Sequence, residues 1–421
     1  MAEPPKIHLG ESFIIRWMRH LLRDRLTPTG RVVFWMMLLA NGTGGYSFVI
    51  KIYFVICILF GLLFVSVVLA RLARVRLKVR PSWPDRATCG HPLRVGLLVE
   101  NLSRRPGLDL ALRVAYPPVP LDHQPEWGLQ IPRLEPGEQL RTHLDLSFDQ
   151  RGAYVLKGLR QETTFPWGLW RDLVYHLEPH TLLVYPNFQP ILSLDIPVGR
   201  KYQPGGIALT SFLGDSTEFL STREFREGDP LRSIHWRSWA RTGKPVVKEF
   251  QEEYFCRIAL LLDTFLPPPR RKGKVDRRAF EAAVSLSAAV ADRLAREEYV
   301  IDLFAAGPEI YHFQAGRSLA YLENVMDILS CIEPCHEPPF EKIEPVMLEY
   351  LENITTTVVV LLDWDERRER MVRVIRDRGS EVKVLLVRSA PASTDPSAGL
   401  DLAGDITVLT PEDVERGVES L

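Results

Sequence analysis

The sequence predicts a membrane helical hairpin, then a small antiparallel β-sandwich, then an α/β domain on a doubly wound parallel sheet. Three observations carry this. The run IYFVICILFGLLFVSVVLA at 52–70 holds no charge. Short alternating runs separated by turn clusters fill 77–186. Beyond 256, continuous apolar runs alternate with helix-like segments, the rhythm of a parallel sheet covered by helices. The expected segments are 1–76 (basic N-terminus, with the hairpin at about 31–70), 77–190 (sandwich), 191–255 (a polar block and linker) and 256–421 (α/β domain). A chain of 421 residues has room for them. A net charge of -1 gives no reason to expect a nucleic-acid partner.

The run at 52–70 nearly crosses a hydrocarbon core of ~30 Å at ~1.5 Å per residue. A second apolar run, VVFWMMLLA at 32–40, is followed by Asn41-Gly42-Thr43-Gly44-Gly45, which favours a turn. Arg16, Arg19, Arg23, Arg25 and Arg31 precede the pair, and Arg71, Arg74, Arg76, Lys78 and Arg80 follow it. The positive-inside rule then places both ends in the cytoplasm, in a multi-pass membrane protein. From Ser12 to Leu26, Phe13, Ile14, Trp17, Met18, Leu21 and Leu22 recur at helical spacing. Two readings stand: an amphipathic helix on the inner leaflet, or an extension of the first span.

In the sandwich, Leu93–Glu100, Leu108–Ala115, Gln139–Phe148 and Tyr154–Leu159 read as strands. Phe165-Pro166-Trp167-Gly168-Leu169-Trp170 reads as a packed corner rather than a ligand platform. In the α/β part, Arg257–Asp263, Tyr299–Ala305, Thr357–Asp363, Glu381–Val387 and Ile406–Leu409 read as strands. Asp276–Glu297, Leu319–Leu329 and Glu366–Arg378 read as helices, with Asp276 an N-cap and Gly379 a stop. Cys57, Cys89, Cys256, Cys331 and Cys335 are few and scattered, which fits a reducing compartment and no disulfide framework. Cys331, Cys335 and His336 lie close together but lack a fourth metal ligand at a sensible spacing.

Ligands of such sheets bind beyond the carboxyl ends of the strands, where Asp263 and Asp363 fall. They are the metal candidates, and Mg²⁺ the one candidate ion; no other cofactor is expected. The helper pattern D-x-S-x-S is lost, because Phe265 and Pro267 stand at its serine positions.

The polar block at 214–253 mixes Arg223, Arg226, Arg232, Arg237, Arg241, Lys244 and Lys248 with Glu224, Glu227, Asp229, Glu249, Glu252 and Glu253, around Trp236 and Trp239. Such a mixture allows bidentate ion pairs, an acidic ligand or a solvated surface. Arg–Trp stacking speaks against the last. His235 is a general-base candidate if Asp229 or Glu224 orients it.

Glu218-Phe219, Arg223-Glu224-Phe225, Gly228-Asp229-Pro230, Arg232, Ile234-His235-Trp236, Ala240-Arg241 and Val247 to Glu249 resemble the signature of the bacterial family known as domain of unknown function 58. Arg151-Gly152, Pro166-Trp167-Gly168-Leu169 and Val184-Tyr185-Pro186 extend the resemblance over most of the chain. It implies a C-terminal domain similar to von Willebrand factor A domains and association with MoxR-type AAA ATPases, chaperone-like remodelling machines. Phe265 and Pro267 depart from the metal-site pattern of that fold, and the first membrane run is short for the family.

The expected function is a membrane-anchored, non-enzymatic interaction or scaffold protein, working with such an ATPase in assembly or remodelling at the inner membrane. Its docking residues are Arg223, Glu224, Gly228, Asp229, Arg232, His235, Trp236 and Arg241, and membrane lipid is the second partner. The alternatives are an enzyme of unknown reaction using the 223–241 block, with His235, Asp229 and Glu224 in acid–base roles, and a cell-surface adhesion module.

Overall fold

A computed structural model describes residues 18, 21–47, 50–124, 128–197, 219–226, 229, 231–250, 257–267, 277–297, 299–306, 310–314, 319–351, 354–396 and 406–421. The chain divides into two compact units, Met1–Val184 and Tyr185–Leu421.

In the first unit, Pro28–Ser47 forms α1 and Ile50–Leu72 forms α2, and the two pack against each other. Thr27 starts α1: its hydroxyl accepts from the Gly30 amide at 3.0 Å, and Pro28 fills a position that needs no donor. The predicted turn at Asn41–Gly45 is not there; α1 runs through it to Ser47. Local turn preference is worth little per residue, and packing along a neighbouring helix overrides it. Among the described residues one helical stretch, Tyr53–Leu72, is long and apolar enough to cross a membrane, with a mean hydropathy of 2.8. Large apolar side chains stand exposed on both helices, among them Trp35, Met36 and Leu39 on α1 and Phe54, Ile58 and Phe64 on α2. Most of the Ser12–Leu26 segment lies outside the described residues; Leu21–Arg25 forms one π-helical turn.

The sandwich follows. Its strands are β1 (Leu77–Ser82), β2 (Arg86–Thr88), β3 (Leu93–Asn101), β4 (Gly107–Val114), β5 (Leu121–Gln124), β6 (Leu129–Leu134), β7 (Gln139–Phe148), β8 (Gly152–Thr163) and β9 (Asp172–Tyr185). They form a four-stranded sheet, β1-β3-β7-β5, and a five-stranded sheet, β2-β9-β8-β4-β6. The strand pairings within them are antiparallel. Period-two alternation sends Val95, Leu97 and Val99 of β3 and Leu110, Leu112 and Val114 of β4 into one shared core.

The second unit opens with a small hairpin of β10 (Phe219–Glu224) and β11 (Val246–Phe250), which enclose the short helix α3 (Trp236–Thr242). Gly243 ends α3 at φ 70°, a left-handed conformation that suits glycine. The α/β domain contains β12 (Arg257–Leu262), α4 (Arg277–Arg296), β13 (Val300–Ala306), β14 (Ile310–Gln314), α5 (Leu319–Cys331), α6 (Phe340–Tyr350), β15 (Thr356–Leu361), α7 (Glu366–Asp377), β16 (Glu381–Val387), β17 (Ile406–Leu409) and α8 (Pro411–Arg416). Its sheet order is β14-β13-β12-β15-β16-β17. The β12, β13, β15, β16 and β17 pairings are parallel, and β14 adds an antiparallel edge.

Alternate residues of the central strands enter two separate cores. Leu260 and Leu262 pack with α4 and α5, whereas Ala259 and Leu261 pack with α6 and α7. Strands buried on both faces read as unbroken apolar runs, which is why RIALLL and TTVVVL were legible. Edge strand β14 and helix α6, with Pro345 inside it, were not foreseen. Ile191 and Leu194, expected in the linker, pack into the α/β core. Asp276 and Cys256 lie outside the described residues.

Candidate functional site

The polar block is built locally. β10 and β11 pair Arg223 with Val247 and Glu224 with Val246. Ile234 and Val247, both buried, bridge α3's approach to β11 and give the block its small apolar footing. Asp229 is the electrostatic pivot. Its carboxylate takes both forks of Arg223 at 2.7 and 2.9 Å, and the Arg226 amide at 2.8 Å. The Arg223 bond, above all, holds the Asp229 carboxyl below the ordinary range. A bidentate guanidinium–carboxylate pair fixes orientation as well as charge.

His235 points elsewhere. Its Nδ1 meets Ser238 Oγ at 2.6 Å, and its own backbone amide donates to Val246. The histidine and the two expected carboxylates are thus engaged separately: Asp229 with Arg223, and Glu224 with Lys244 at 3.4 Å in an exposed pair. The tryptophans stack on each other, ring centroids 5.3 Å apart. Trp236 is 64% exposed, and Arg237, Arg241 and Leu231 are exposed beside it. Gly228 and the side chain of Arg232 lie outside the described residues.

The second expected site lies at the carboxyl ends of adjacent strands β12 and β15, where strand order reverses. Both aspartates are there, and each is held by protein groups. Asp263, 3% exposed, accepts from Arg368 Nε at 2.7 Å, from the Phe265 amide at 2.9 Å and from the Leu362 amide at 3.1 Å. Arg368 is also buried. It donates to Asp365 at 2.6 Å and to the Phe265 carbonyl at 3.2 Å, and its guanidinium lies over the rings of Phe265 and Phe340. Burial acts to lower the Arg368 pKa, but the surrounding aspartates, Asp263 first, raise it overall.

Asp363 accepts from the amides of Trp364 and Ser393, from the Ser393 hydroxyl at 2.6 Å, and pairs with Arg388. Burial pushes its carboxyl up; Arg388 and Ser393 pull it down further than that. The position where a hard cation was expected is thus taken, at Asp263, by a guanidinium. Among the described residues no group of three or more His, Cys, Asp or Glu side chains is arranged to hold a metal ion. Cys335 and His336 instead strap a loop to the strand end: the Cys335 amide donates to Thr264, and His336 Nδ1 meets the Leu266 carbonyl at 3.0 Å.

Arg368 was missed, yet its signal is present. Arg368, Met371, Val372 and Ile375 are the buried face of α7, at i, i+3, i+4 and i+7. An arginine on an apolar stripe needs a buried partner.

A third cluster, in the first unit, was not anticipated at all. Asp172, at the start of β9, accepts both forks of Arg74 at 2.6 and 2.7 Å and lies 3.7 Å from Arg25. Arg25 precedes α1 and Arg74 follows α2, so both ends of the helix pair converge on one buried carboxylate. The corner Phe165–Trp170 is the socket beside it. Thr27 donates its hydroxyl to the Gly168 carbonyl and its amide to Leu169 at 3.2 Å, and Leu26 bridges Trp170. Gly30 packs so closely that an added Cβ would stand 2.0 Å from the Leu169 carbonyl oxygen.

Residues 221–390 match the family described as "Protein of unknown function DUF58", in keeping with the resemblance of the polar block. The chain is 25% identical over 170 residues to the uncharacterized protein YeaD of Bacillus subtilis (strain 168), covering 39% of each chain. The match thus spans well under half of that relative. Solved structures with partial likeness include E. coli alpha-2-macroglobulin (15% identity, 38% of this chain and 8% of that one, TM-score 0.19) and Salmonella alpha-2-macroglobulin reacted with methylamine (17%, 38% and 9%, TM-score 0.20). At such scores they say nothing about this fold.

Proposed function

We propose that this chain is a membrane-anchored interaction protein whose polar block docks a protein partner. One observation carries the reading: Trp236, exposed and stacked on Trp239, stands beside exposed arginines on a platform pinned by the Arg223–Asp229 fork. A large ring held in place in water is a poor use of a solvated surface and a good use of an interface, where Trp and Arg dominate binding energy. The separate bonding of His235 and Asp229 speaks against an acid–base pair.

By the resemblance, the partner is a MoxR-type AAA ATPase and the α/β domain is of the von Willebrand factor A kind, with Arg368 standing in for the ion. The anchor is a hairpin of α1 and α2 in the bacterial plasma membrane, with both ends, and hence both soluble units, on the cytoplasmic side. The convergence of Arg25 and Arg74 on Asp172 supports ends that share a side. Protease treatment of intact cells separates this from an adhesion module, since cytoplasmic domains stay protected and surface domains do not.

Binding of the detergent-purified full chain to a purified MoxR-type ATPase, in each nucleotide state, tests the docking reading. Trp236→Ala with Arg241→Ala is expected to weaken the complex roughly 30-fold. Unchanged affinity, or no complex in any state, overturns it.

A further inference from the structure

Two loops of the sandwich meet the foot of the helix pair, and each holds one large apolar side chain out in the open. The first, 102–106, joins β3 to β4, and its Leu102 is 59% exposed. Hydrogen bonds fix this loop from several directions. The Leu102 amide donates to the Arg76 carbonyl at 2.9 Å, and Ser103 Oγ accepts from the Arg76 amide at 2.7 Å. Asn101, buried, donates to the Arg105 and Leu134 carbonyls at 2.9 and 3.0 Å. Arg105 donates to the Leu72 carbonyl at 3.1 Å, one of the acceptors that the end of α2 leaves unused.

The second loop is the corner Phe165–Trp170, whose Trp167 is 47% exposed. Gly168 follows at φ 64°, a left-handed turn conformation, and its amide donates to the Thr164 carbonyl at 2.9 Å. Thr163 donates to the Leu108 carbonyl at 2.9 Å, which ties the corner to the start of β4, where the first loop ends. Neither Leu102 nor Trp167 belongs to the sandwich core.

Their depth points to what covers them. The apolar stretch Tyr53–Leu72 ends at the residue whose carbonyl Arg105 holds. The corner lies against the first turn of α1, because Thr27 donates to the Gly168 carbonyl and Gly30 packs on the Leu169 carbonyl. Both loops therefore stand where the apolar helices end. On a membrane span, that is the level at which hydrocarbon gives way to headgroups, and tryptophan is enriched there for its apolar body and polar N–H. Arg71, Arg76, Arg104 and Arg105 are exposed around the two loops, a charge that suits anionic lipid.

We propose that Trp167 and Leu102 insert into the headgroup region of the bilayer at the foot of α2, seating the sandwich on the membrane surface. This rests on the reading of α2 as a membrane span.

The test uses the full chain reconstituted in phosphatidylcholine nanodiscs, where both membrane faces are open to solvent. The emission of Trp167 is read as the difference between wild type and Trp167→Phe. It is expected to be quenched by lipids brominated near the top of the acyl chain and sheltered from aqueous acrylamide. Emission open to acrylamide and untouched by brominated lipid overturns the seat. Emission sheltered from both quenchers assigns the ring to a protein contact, within the chain or with a second copy, and overturns it too. Leu102→Asp, measured with and without Trp167→Phe, puts a carboxylate at the other point of insertion and is expected to cost Trp167 much of its quenching by brominated lipid. Unchanged quenching overturns the two-point seat. Carbonate extraction of membranes separates the two readings: release of the chain fails the anchor, whereas a retained chain with Trp167 open to acrylamide fails the seat alone.

Discussion

The polar block and the socket around Asp172 solve one problem at opposite ranges. Each uses an aspartate to take both forks of an arginine. In the block the partners are six residues apart, Arg223 and Asp229. At the socket Arg74 and Asp172 are 98 apart. The local pair sits on a two-stranded hairpin with a small apolar footing and displays Trp236 outward. The distant pair closes the ends of two helices onto a sandwich with a full core. A short-range fork costs little chain entropy and stiffens a surface for display; a long-range fork opposes much more and defines tertiary arrangement. The Asp263–Arg368 pair, 105 apart and buried, is the extreme of the second kind.

If range and burial set the cost of losing a fork, the effects fall in order. The largest is expected at Arg368. Arg368→Met leaves Asp263 charged and buried, at a cost of roughly 3–5 kcal/mol, and adding Asp263→Asn recovers part of it. Denaturant unfolding of the purified chain measures both; a change near zero for the single variant breaks the comparison.

Next comes the socket. Asp172→Ala removes charged hydrogen bonds worth roughly 1.5–3 kcal/mol, at the low end because Arg74 and Arg25 stay partly in water. Gly30→Ala tests the same docking without touching charge, through the clash with the Leu169 carbonyl. Limited proteolysis is expected to cut near Arg25 in both variants and not in the wild type.

A smaller, pH-dependent effect is expected at Asp363, whose carboxyl lies below the ordinary range. The sign follows from linkage: a depressed folded pKa contributes stability above the usual carboxylate value, and that contribution is lost as pH falls through the folded value. Arg388→Gln is therefore expected to lower stability near neutrality, with the difference from wild type shrinking as pH falls through the folded value. Denaturant unfolding at a series of pH values measures this; a difference that is absent near neutrality, or that does not shrink in acid, sinks the assignment of Arg388 as the cause.

The smallest stability effect belongs to the display surface. Trp236→Ala is expected to stay within about 0.5 kcal/mol of wild type, as for exposed positions generally, while partner binding falls. A large loss of stability would make Trp236 a structural residue and remove the contrast with the socket.

Much of the fold was readable residue by residue. RIALLL and TTVVVL named themselves as strands buried on both faces, and the alternation in β3 and β4 named a half-buried sheet. The block was readable because its partners are near neighbours. Arg368 was readable in principle, as a charge on an apolar stripe. The turn at Asn41–Gly45 was misread because local preference is weak beside helix–helix packing. The metal reading took two strand-end aspartates in isolation and had no access to the arginines that meet them.

The sequence alone determined what depends on short-range periodicity: which segments are strands or helices, where an apolar stretch is long enough to span, and which charges form the block. Tertiary structure decided the pairings. Asp172 meets Arg25 and Arg74, Asp263 meets Arg368, and Arg160 and Arg171 share Glu162 only once strand order, register and helix docking are set. The physical reason is that side-chain period follows from local backbone geometry, whereas the choice of partner for a buried charge is a contest among every distant group that folding brings within reach.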